Sequence, residues 1–582
     1  MLTRRLLLLA LLSVSLLGGR LALGASPADS AGNPGLDRGL VVRPLEGGRA
    51  YLSWRLLERD PADIAFDVYR IEGGHERKLN EQPIRKTTDY VDSSGPQKDD
   101  TRWSVRPVAA RQTEVGGSAA AQGDPGQAYI SIKLDGNPTV QKLGLADLDG
   151  DGRLDFVIKQ PNSNVDPYDK YWKKSPGTYK LEAYSADGKF LWRYDLGWAI
   201  EQGIWYSPYV VYDFDGDGKA EVAVKTGEGD PRDADGRVQS GPEYLTILDG
   251  LTGKEVTRAD WPARELFANV SRPYNYASRN QLGVALLDGK NTSLIVERGT
   301  YNLQVVIAYR LKDGKLTEQW RWSNDGLGKE WSGQGAHWMH AADIDADGRE
   351  EIILGSSVLD DNGQPLWTTG LGHPDHSYVG DIDPLRPGLE IYYGMETRQK
   401  KNGMCLVDAR TGEILWGYDE PTRHVHSYGM CGDIDPRYVG SECYSADTDA
   451  QKDFAFGLLY SAQGELIARE DMKFGPRLAY WDADLQRELV KGKSISKYGG
   501  EDFSTRIEGQ FVATVDLLGD WREEIITTLP GELRIYVTTI PAADRRVCLL
   551  QDPIYRADVA HATMGYYQVP MTSYDLATSK VE

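Results

Sequence analysis

The stretch Asp147-Leu-Asp-Gly-Asp-Gly-Arg-Leu-Asp155, followed by the apolar run Phe-Val-Ile, decides how this chain folds, because it recurs along the sequence. Self-similarity at a regular spacing is the signature of a repeat architecture. Two further full copies, two copies with proline in the loop and three degenerate copies follow: Asp213–Glu221, Asp343–Glu351, Asp381–Glu390, Asp433–Glu442, and the segments beginning at Asp288, Asp482 and Asp516.

The spacing of the eight copies predicts the fold. It averages roughly 50 residues, the size of a four-stranded propeller blade. Hairpin signals such as Asp187-Gly188, Asn362-Gly363 and Thr411-Gly412 lie downstream of the copies, and long helical periodicity is missing. We therefore predict an all-β chain with an eight-bladed β-propeller over residues 127–582. Seven blades is the alternative count, and a parallel β-helix is the competing repeat fold.

The residues before the repeat predict an exported protein with a small leading domain. Residues 1–25 combine Arg4 and Arg5 with an apolar run and small residues, the pattern of a secretory signal peptide, with a membrane anchor as the alternative. Residues 35–115 contain only short strand-like runs separated by turns, which predicts a fibronectin-type β-sandwich. No later segment is long and apolar enough to span a bilayer. We expect a monomer, secreted or periplasmic after removal of the signal peptide.

The charge of the chain excludes one class of partner. The 582 residues carry a formal net charge of −21. Nucleic-acid binding requires a basic face, so nucleic acid is not an expected partner.

The acidic loops predict bound cations. An alternating Asp-x-Asp-x-Asp-Gly loop places three carboxylates on one side of a tight turn, and a later acid closes the ring. Several flexible oxygen ligands suit Ca²⁺ better than Zn²⁺ or Mg²⁺. A loop that is only an Asx-turn is the alternative, especially for the degenerate copies. We expect several structural calcium ions, with these ligands: Asp147, Asp149, Asp151, Asp155, Asp213, Asp215, Asp217, Glu221, Asp343, Asp345, Asp347, Glu351, Asp381, Asp383, Glu390, Asp433, Asp435 and Glu442.

Residues that break the repeat are candidates for chemistry. Six of the eight histidines fall between His337 and His426, just upstream of three consecutive acidic loops. Counting back from each loop predicts a ring of aromatic, imidazole and guanidinium groups around the mouth of a central channel, as sugar-binding clefts use. Core packing is the alternative for any single member. The ring contains Tyr206, Trp338, His376, His426, Tyr428 and Arg477.

Longer runs resemble the eight-bladed rhamnogalacturonan lyases of polysaccharide lyase family 11. The likeness extends over nearly the whole mature chain and includes Gly333-Gln-Gly-Ala-His337, Gly380-Asp-Ile-Asp-Pro384 and Asp516-Leu-Leu-Gly-Asp-Trp-Arg-Glu-Glu524. The resemblance implies calcium-dependent β-elimination in the rhamnose–galacturonate backbone of pectin, an acidic polysaccharide. It also implies that His337, His373, Asp375 and Glu396 hold one calcium ion near the cleft.

β-Elimination at a uronate requires neutralisation of the carboxylate, a base for the C5 proton and stabilisation of the O4 leaving group. The arginine and lysine that the family's cleft uses for this have no obvious counterparts here. We expect His426 and Tyr428 to act as base and acid, and Arg477 and Arg279 to bind the carboxylate. Tyr206, Trp338, His376 and Arg506 are the expected substrate contacts. A lyase for another uronate polymer, algal or gum, and a non-catalytic carbohydrate-binding propeller are the alternatives.

Overall fold

The computed structural model describes residues 35–108, 117–426, 429–472 and 476–579. The described chain is built of β-strands, with two short α-helices, Pro273–Ala277 and Pro553–His561. Single 3₁₀ turns lie at Glu46–Gly48, Arg264–Phe267, Lys329–Trp331 and Leu549–Gln551. The predicted all-β class is confirmed. Within the described residues, no helix has the length and apolarity needed to cross a membrane.

Two antiparallel sheets form the N-terminal part of the described chain. They share a core around Trp54, Phe66 and Trp103. The last strand of the second sheet lies beyond residue 115, where the sequence pattern placed the end of this domain. In spatial order the strands are Val41–Pro44, Ala50–Ser53 and Asp89–Asp92 in one sheet, and His75–Lys78, Phe66–Glu72, Arg102–Pro107 and Gly117–Ala119 in the other.

Eight four-stranded antiparallel sheets follow, numbered here 1 to 8 in chain order. In sheets 1 to 7 the four strands are consecutive in sequence. The strands of sheets 1 to 4 are Lys142–Ala146, Asp155–Gln160, Lys180–Tyr184, Phe190–Asp195; Tyr209–Tyr212, Glu221–Gly227, Glu243–Asp249, Glu255–Asp260; Asn280–Ala285, Ser293–Arg298, Val305–Lys312, Lys315–Ser323; Gly335–Ala342, Glu351–Gly355, Ser357–Leu359, Pro365–Thr368. Those of sheets 5 to 8 are Pro374–Gly380, Glu390–Met395, Met404–Asp408, Ile414–Gly417; Met430–Gly432, Glu442–Thr448, Phe454–Tyr460, Leu466–Arg469; Arg477–Ala479, Glu488–Lys491, Ser494–Ser496, Asp502–Arg506; Gln510–Val515, Glu524–Leu529, Glu532–Tyr536, Tyr129–Lys133.

Sheet 8 joins the two ends of the repeat. Its outer strand, Tyr129–Lys133, precedes sheet 1 in sequence and pairs antiparallel with Glu532–Tyr536. The first strand of sheet 8 also contacts the first strand of sheet 1, as the first strands of sheets 1 to 5 contact their neighbours. A strand from the start of the repeat therefore completes its last sheet.

Each acidic loop connects the first and second strands of its sheet. The closing acid is the first residue of the second strand, and its carboxylate accepts a backbone N–H from the loop; Glu351, for example, accepts from Ile344 at 2.9 Å. The same contact is made by Asp155, Glu221, Glu390, Glu442, Glu488 and Glu524. In sheet 3 the equivalent position is Ser293.

Tryptophans on outer strands tie neighbouring sheets together. The indole N–H of Trp367, in sheet 4, donates to the carbonyl of Ala409 in sheet 5 at 3.0 Å. Trp416 repeats this contact to Ala462 of sheet 6 at 2.8 Å. The tight hairpin that receives each ring needs a glycine: a Cβ on Gly412, where φ is 74°, would lie 2.7 Å from Trp367. The repeated Leu-Trp and turn-Gly signals thus couple one sheet to the next.

A C-terminal segment occupies the space among the first strands. Helix Pro553–His561 contacts the first strands of sheets 1 to 4. His340 of sheet 4 lies with its Nδ1 2.8 Å from Asp558 on this helix. The ammonium of Lys142 donates to the carbonyls of Met564 and Gly565 just beyond it, both at 2.8 Å. The C-terminal segment therefore fills the middle of the central channel that the sequence predicted.

Candidate functional site

A cleft of about 540 Å³ opens at the start of the first strands, opposite the acidic loops. His337 lies near the start of Gly335–Ala342, whose other end leads into the loop at Asp343, and Asp375 lies near the start of Pro374–Gly380 in the same way. The cleft therefore lies at one end of the first strands, and the acidic loops lie at the other end. The residues that line the cleft include Asp166, Tyr168, Arg272, Arg279, Tyr301, His337, His373, Asp375, Glu396, His426, Lys452 and Tyr566.

A histidine–carboxylate cluster forms the floor of the cleft. His337, His373, Asp375 and Glu396 each direct one ligand atom to a common point, with all four atoms within 4.8 Å of one another. The two Nε2 atoms of His337 and His373 are 3.2 Å apart, and Nε2 of His373 is 3.1 Å from Oε2 of Glu396. The structure thus brings together the four residues that the resemblance grouped.

Two more histidines reach the outer oxygens of these carboxylates. Nδ1 of His424 is 3.5 Å from Oε1 of Glu396, and Nδ1 of His426 is 3.3 Å from Oδ2 of Asp375. The side chain of His426 remains 35% exposed, while that of His424 is 12% exposed. Of the two, His426 is the imidazole open to a ligand in the cleft.

Burial sets the charge of the imidazoles. It lowers the pKa of His337 well below the usual histidine value, and the neighbouring His373 lowers it further. Burial also lowers the pKa of His426 to about 4, so its ring is neutral near pH 7. Burial alone would raise the pKa of Glu396, but hydrogen bonding and charge at His373 outweigh it, so this carboxyl is ionised.

Cationic side chains line the wall of the cleft. The buried guanidinium of Arg279 pairs with Asp166 at 2.9 Å and lies 5.0 Å from the ring centre of Trp205. Arg272 stacks over Tyr168 at 4.8 Å. Lys452 is exposed, and no acidic side chain in the described chain forms an ion pair with its ammonium. Its φ of 69° is left-handed, a conformation that strains a residue with a Cβ.

Three expected substrate contacts are buried away from this cleft. Trp338 is 2% exposed and packs against His561 of the C-terminal helix. His376 is 1% exposed and meets the hydroxyl of Ser445 at 2.8 Å. Tyr206 is 4% exposed and shares a 3.0 Å hydrogen bond with Tyr274. None of the three lines the cleft.

The other expected residues are dispersed. Arg279 and His426 line the cleft, whereas Arg477 lies over the rings of Phe511 and Tyr567, 5.5 and 5.1 Å from their centres. Arg506 is on the outer strand of sheet 7 and pairs with Asp502 at 3.1 Å. Tyr428 lies outside the described residues. The assignments of these side chains to catalysis or substrate binding stay predictions.

Sequence reasoning missed several residues that line the cleft. Lys452 sits in a turn of ordinary polar composition, and Tyr301 follows a strand in sheet 3, so neither carried a distinguishing signal. Tyr566 comes from the C-terminal segment, and burial raises its pKa well above the usual tyrosine value. It therefore keeps its proton at neutral pH.

The closing acids of the acidic loops are partly or fully buried, and no basic side chain offsets the effect of that burial on their pKa values. Burial raises the pKa of Asp155 to about 6, of Glu221 and Glu351 to about 8, and of Glu442 to about 9. Oδ1 of Asp433 and Oε1 of Glu442 are buried without a hydrogen-bond partner in the described chain. Close groups of ligand atoms include Asp147, Asp149, Asp155; Asp213, Asp215, Glu221; and Asp343, Asp345, Asp347. Crowded buried oxygens of this kind fit a divalent cation.

In each of the three degenerate loops, a basic side chain of the protein pairs with an acid of the loop. In sheet 7, Nζ of Lys497 lies 2.8 Å from Asp482 and also contacts Asp484. In sheet 3, Arg310 donates to Asp288 at 2.8 Å. In sheet 8, Arg522 donates to Asp520 at 2.6 Å. Basic side chains are also found at other loops, since Arg153 pairs with Asp151 in sheet 1 and Arg437 with Asp435 in sheet 6.

Comparison with known proteins places this architecture in a family. The family described as "Rhamnogalacturonan lyase family 11, C-terminal domain" matches residues 134–581, and "Rhamnogalacturonan I lyases beta-sheet domain" matches residues 34–122. The chain is 38% identical to the rhamnogalacturonan endolyase YesW of Bacillus subtilis, over 94% of this chain and 92% of that one. It is 34% identical to the exolyase YesX of the same organism, over 93% and 95%.

The structural comparison agrees. The crystal structure of YesW superposes with a TM-score of 0.84 at 36% identity, covering 95% of this chain and 98% of that one. That of YesX superposes with a TM-score of 0.85 at 33% identity, covering 94% and 96%. The resemblance found in the sequence is confirmed over both parts of the chain. The protein belongs to rhamnogalacturonan lyase family 11 and is a polysaccharide lyase.

Proposed function

We propose that this protein cleaves the rhamnose–galacturonate backbone of pectic rhamnogalacturonan by β-elimination. Two full-length relatives named for rhamnogalacturonan lyase activity support the substrate. The observation that carries the proposal is the cleft, where the neutral imidazole of His426 lies among the cations Arg272, Arg279 and Lys452. A base beside positive charge is what removal of a proton next to a carboxylate requires.

The proposed reaction uses the residues of the cleft in three roles. Lys452 and Arg272 bind the C6 carboxylate of the galacturonate, and Arg279 adds positive charge at the wall, which stabilises the enolate-like transition state. His426 takes the C5 proton; the electron pair then forms the C4–C5 double bond as the C4–O4 bond breaks. Tyr566 gives its proton to the departing glycosidic oxygen, O4 of the galacturonate, which leaves as the anomeric hydroxyl of the rhamnose; its raised pKa keeps Tyr566 protonated for this role. The sequence's candidate, Tyr428, is the other donor to be tested.

We further propose that calcium occupies the full and proline-containing acidic loops and stabilises the fold. The closing acids Glu221 and Glu442 support this ion, because burial raises the pKa of each and no basic side chain offsets it. The loops lie at the opposite end of the strands from the cleft, so calcium there would hold sheets in place and take no part in proton transfer.

We also propose the domain architecture and the exported location that the sequence predicted. Eight four-stranded sheets, the last completed by Tyr129–Lys133 and in contact with the first, support an eight-bladed β-propeller, and the two N-terminal sheets support a fibronectin-type sandwich. The apolar N-terminal run of residues 1–25 supports export to the periplasm or medium. A monomer is the expected state.

The direct test is incubation of the purified protein with rhamnogalacturonan, homogalacturonan and algal or gum uronates, while the ultraviolet absorbance of the unsaturated uronate is followed. The proposal requires release of unsaturated products from rhamnogalacturonan. Turnover only of another polymer would change the substrate assignment. Binding without turnover on every polymer would instead support a carbohydrate-binding role.

A further inference from the structure

The metal-binding clusters of this chain differ in their donor atoms. The acidic loops offer only oxygen, as in the groups at Asp147, Asp213 and Asp343. The cluster in the cleft offers two imidazole nitrogens, from His337 and His373, beside two carboxylates. Ca²⁺ takes six to eight oxygen ligands, whereas imidazole is a preferred ligand of first-row transition ions. Two kinds of ion are therefore expected at the two ends of the strands.

The tautomer of His373 points its lone pair into the cluster. Its Nδ1–H donates to the backbone carbonyl of Gly335. Nε2 of a neutral ring then carries no proton, although it lies 3.1 Å from a carboxylate oxygen of Glu396 and 3.2 Å from Nε2 of His337. Without a metal ion, a proton on Nε2 supplies the positive charge beside Glu396, and a bound metal ion would take the place of that proton. A carbonyl that fixes one nitrogen while the other faces a metal is the usual environment of a ligating histidine.

The distances suit a small ion with few ligands. Zn²⁺ binds nitrogen and oxygen at about 2.0–2.1 Å, so tetrahedral ligand atoms lie about 3.3 Å apart. Three of the six separations here are 3.1 Å, 3.2 Å and, between Nε2 of His337 and Oδ1 of Asp375, 3.8 Å, and the others lie within 4.8 Å.

His424 and His426 complete the surroundings of the cluster. Each directs Nδ1 to the outer oxygen of one carboxylate, at 3.5 Å for Glu396 and 3.3 Å for Asp375. Such contacts orient carboxylate ligands and leave their inner oxygens to the ion. Calcium, the ion that the family resemblance implied here, fits this nitrogen-rich surrounding poorly.

We propose that His337, His373, Asp375 and Glu396 bind one first-row transition ion of the zinc class, and that calcium is confined to the acidic loops. This assignment is independent of the substrate, because it concerns only which ion the four side chains hold. No step of the proposed elimination depends on the ion.

The test measures metal content. The full chain is stripped with a chelator, equilibrated with Ca²⁺, Zn²⁺ and Mn²⁺ together, freed of loose ions and analysed by mass spectrometry of its metals. We expect one transition ion per chain besides calcium. His373→Ala should lose the transition ion and keep its calcium, and His75→Ala, on the exposed N-terminal strand His75–Lys78, should keep both. Cobalt in place of zinc should give visible absorption bands that His373→Ala lacks.

A second variant protects the test against misfolding. Should circular dichroism show that His373→Ala is unfolded, Glu396→Gln replaces it, since it removes a ligand charge without changing side-chain size. Loss of calcium alone from a folded cluster variant would overturn the proposal, because it would assign calcium to the cluster. The same metal content in parent and variant would overturn it too, because the cluster would then hold no ion.

Discussion

Nζ of Lys497 lies 2.8 Å from Oδ2 of Asp482, in the loop of sheet 7 that corresponds to the acidic loops of sheets 1, 2 and 4. The ammonium also contacts Asp484 and lies 4.0 Å from Glu488, so one side chain meets all three acids of the loop. A lysine here takes the place that an ion would occupy in a full loop.

Replacement of this lysine should make sheet 7 dependent on calcium. Lys497→Met leaves three crowded carboxylates without a counter-charge, which we expect to cost about 1–3 kcal/mol in a chelating buffer. Added calcium should then restore stability, because an ion that binds only the folded state stabilises it by mass action. Thermal unfolding with and without calcium measures both effects. Lys493→Met, at an exposed turn nearby, should behave as the parent. Equal stability of parent and Lys497→Met in chelator would show that the lysine has no such role.

The contact between neighbouring sheets predicts that two glycine-to-alanine variants differ in stability. Gly412 and Gly370 both have left-handed backbones, with φ of 74° and 69°, but only Gly412 faces a ring. A Cβ on Gly412 would lie 2.7 Å from Trp367, whereas one on Gly370 meets nothing within 4 Å. Gly370→Ala should cost about 1–2 kcal/mol from backbone strain alone. Gly412→Ala should cost about 1–3 kcal/mol more, because the ring must move. The difference between the two variants in the free energy of unfolding, measured with denaturant, gives the cost of moving the ring. Equal losses of stability would mean that Trp367 moves aside at no cost.

Much of this fold could be predicted because its signals are local. The acidic loop, the turn glycine and the outer-strand tryptophan each occur within a few residues, so their recurrence marks successive sheets. The closure of sheet 8 by Tyr129–Lys133 is a pairing between distant segments, and no local pattern near residue 129 specifies its partner.

The C-terminal segment explains why part of the site was misplaced. Counting along the repeats correctly placed Trp338 and His376 on first strands, but the expectation that they line an open channel ignored what fills it. Helix Pro553–His561 packs against the strand of Trp338, while His376 is enclosed between sheets 5 and 6, where it meets Ser445. The cleft lies at the ends of the strands. The family resemblance, and not the repeat spacing, grouped His337, Asp375 and Glu396 there.

A buried carboxylate in sheet 2 predicts stability that depends on pH. Glu243 meets Lys225, Arg264 and Arg298, each at 2.7 Å. Burial alone would raise its pKa, but these three cations outweigh burial and hold it well below the usual glutamate value. A carboxyl whose pKa is lowered by folding stabilises the protein at pH values above its unfolded pKa of about 4.3. This stabilisation is lost as the pH falls toward the pKa of the folded state.

Glu243→Gln should therefore lower the free energy of unfolding at pH 7 by about 3–5 kcal/mol, since it leaves buried cations unpaired. The loss should shrink as the pH falls below about 4, because the carboxyl of the unfolded parent then takes up a proton while that of the folded parent stays ionised. Denaturant titrations across this range measure it. Glu228→Gln, which removes an exposed pair with Arg258, should leave stability nearly unchanged because solvent screens that pair. A uniform loss at every pH would indicate packing rather than charge as the cause.

The assignment of His426 as the base predicts a selective loss of turnover. His426→Ala should lower kcat by ~10²–10⁴-fold, the usual contribution of general acid–base catalysis. The side chain is 35% exposed, so its removal should leave little cavity and barely change the melting temperature. Metal content measured on the same samples tells whether the loss of turnover comes from proton transfer, with the ion retained, or from a weakened ion site beside Asp375.

Lys452→Ala tests the carboxylate partner in the same assay. We expect it to raise KM and lower kcat together, because the ammonium contacts the uronate both before and during the transition state. Arg410→Ala, at an exposed turn of sheet 5 away from the cleft, is the matched loss of charge and should leave both constants near those of the parent. Normal turnover by His426→Ala would remove it as the base. If Lys452→Ala were also normal, the carboxylate would be bound elsewhere, and Arg477 would be the next residue to replace.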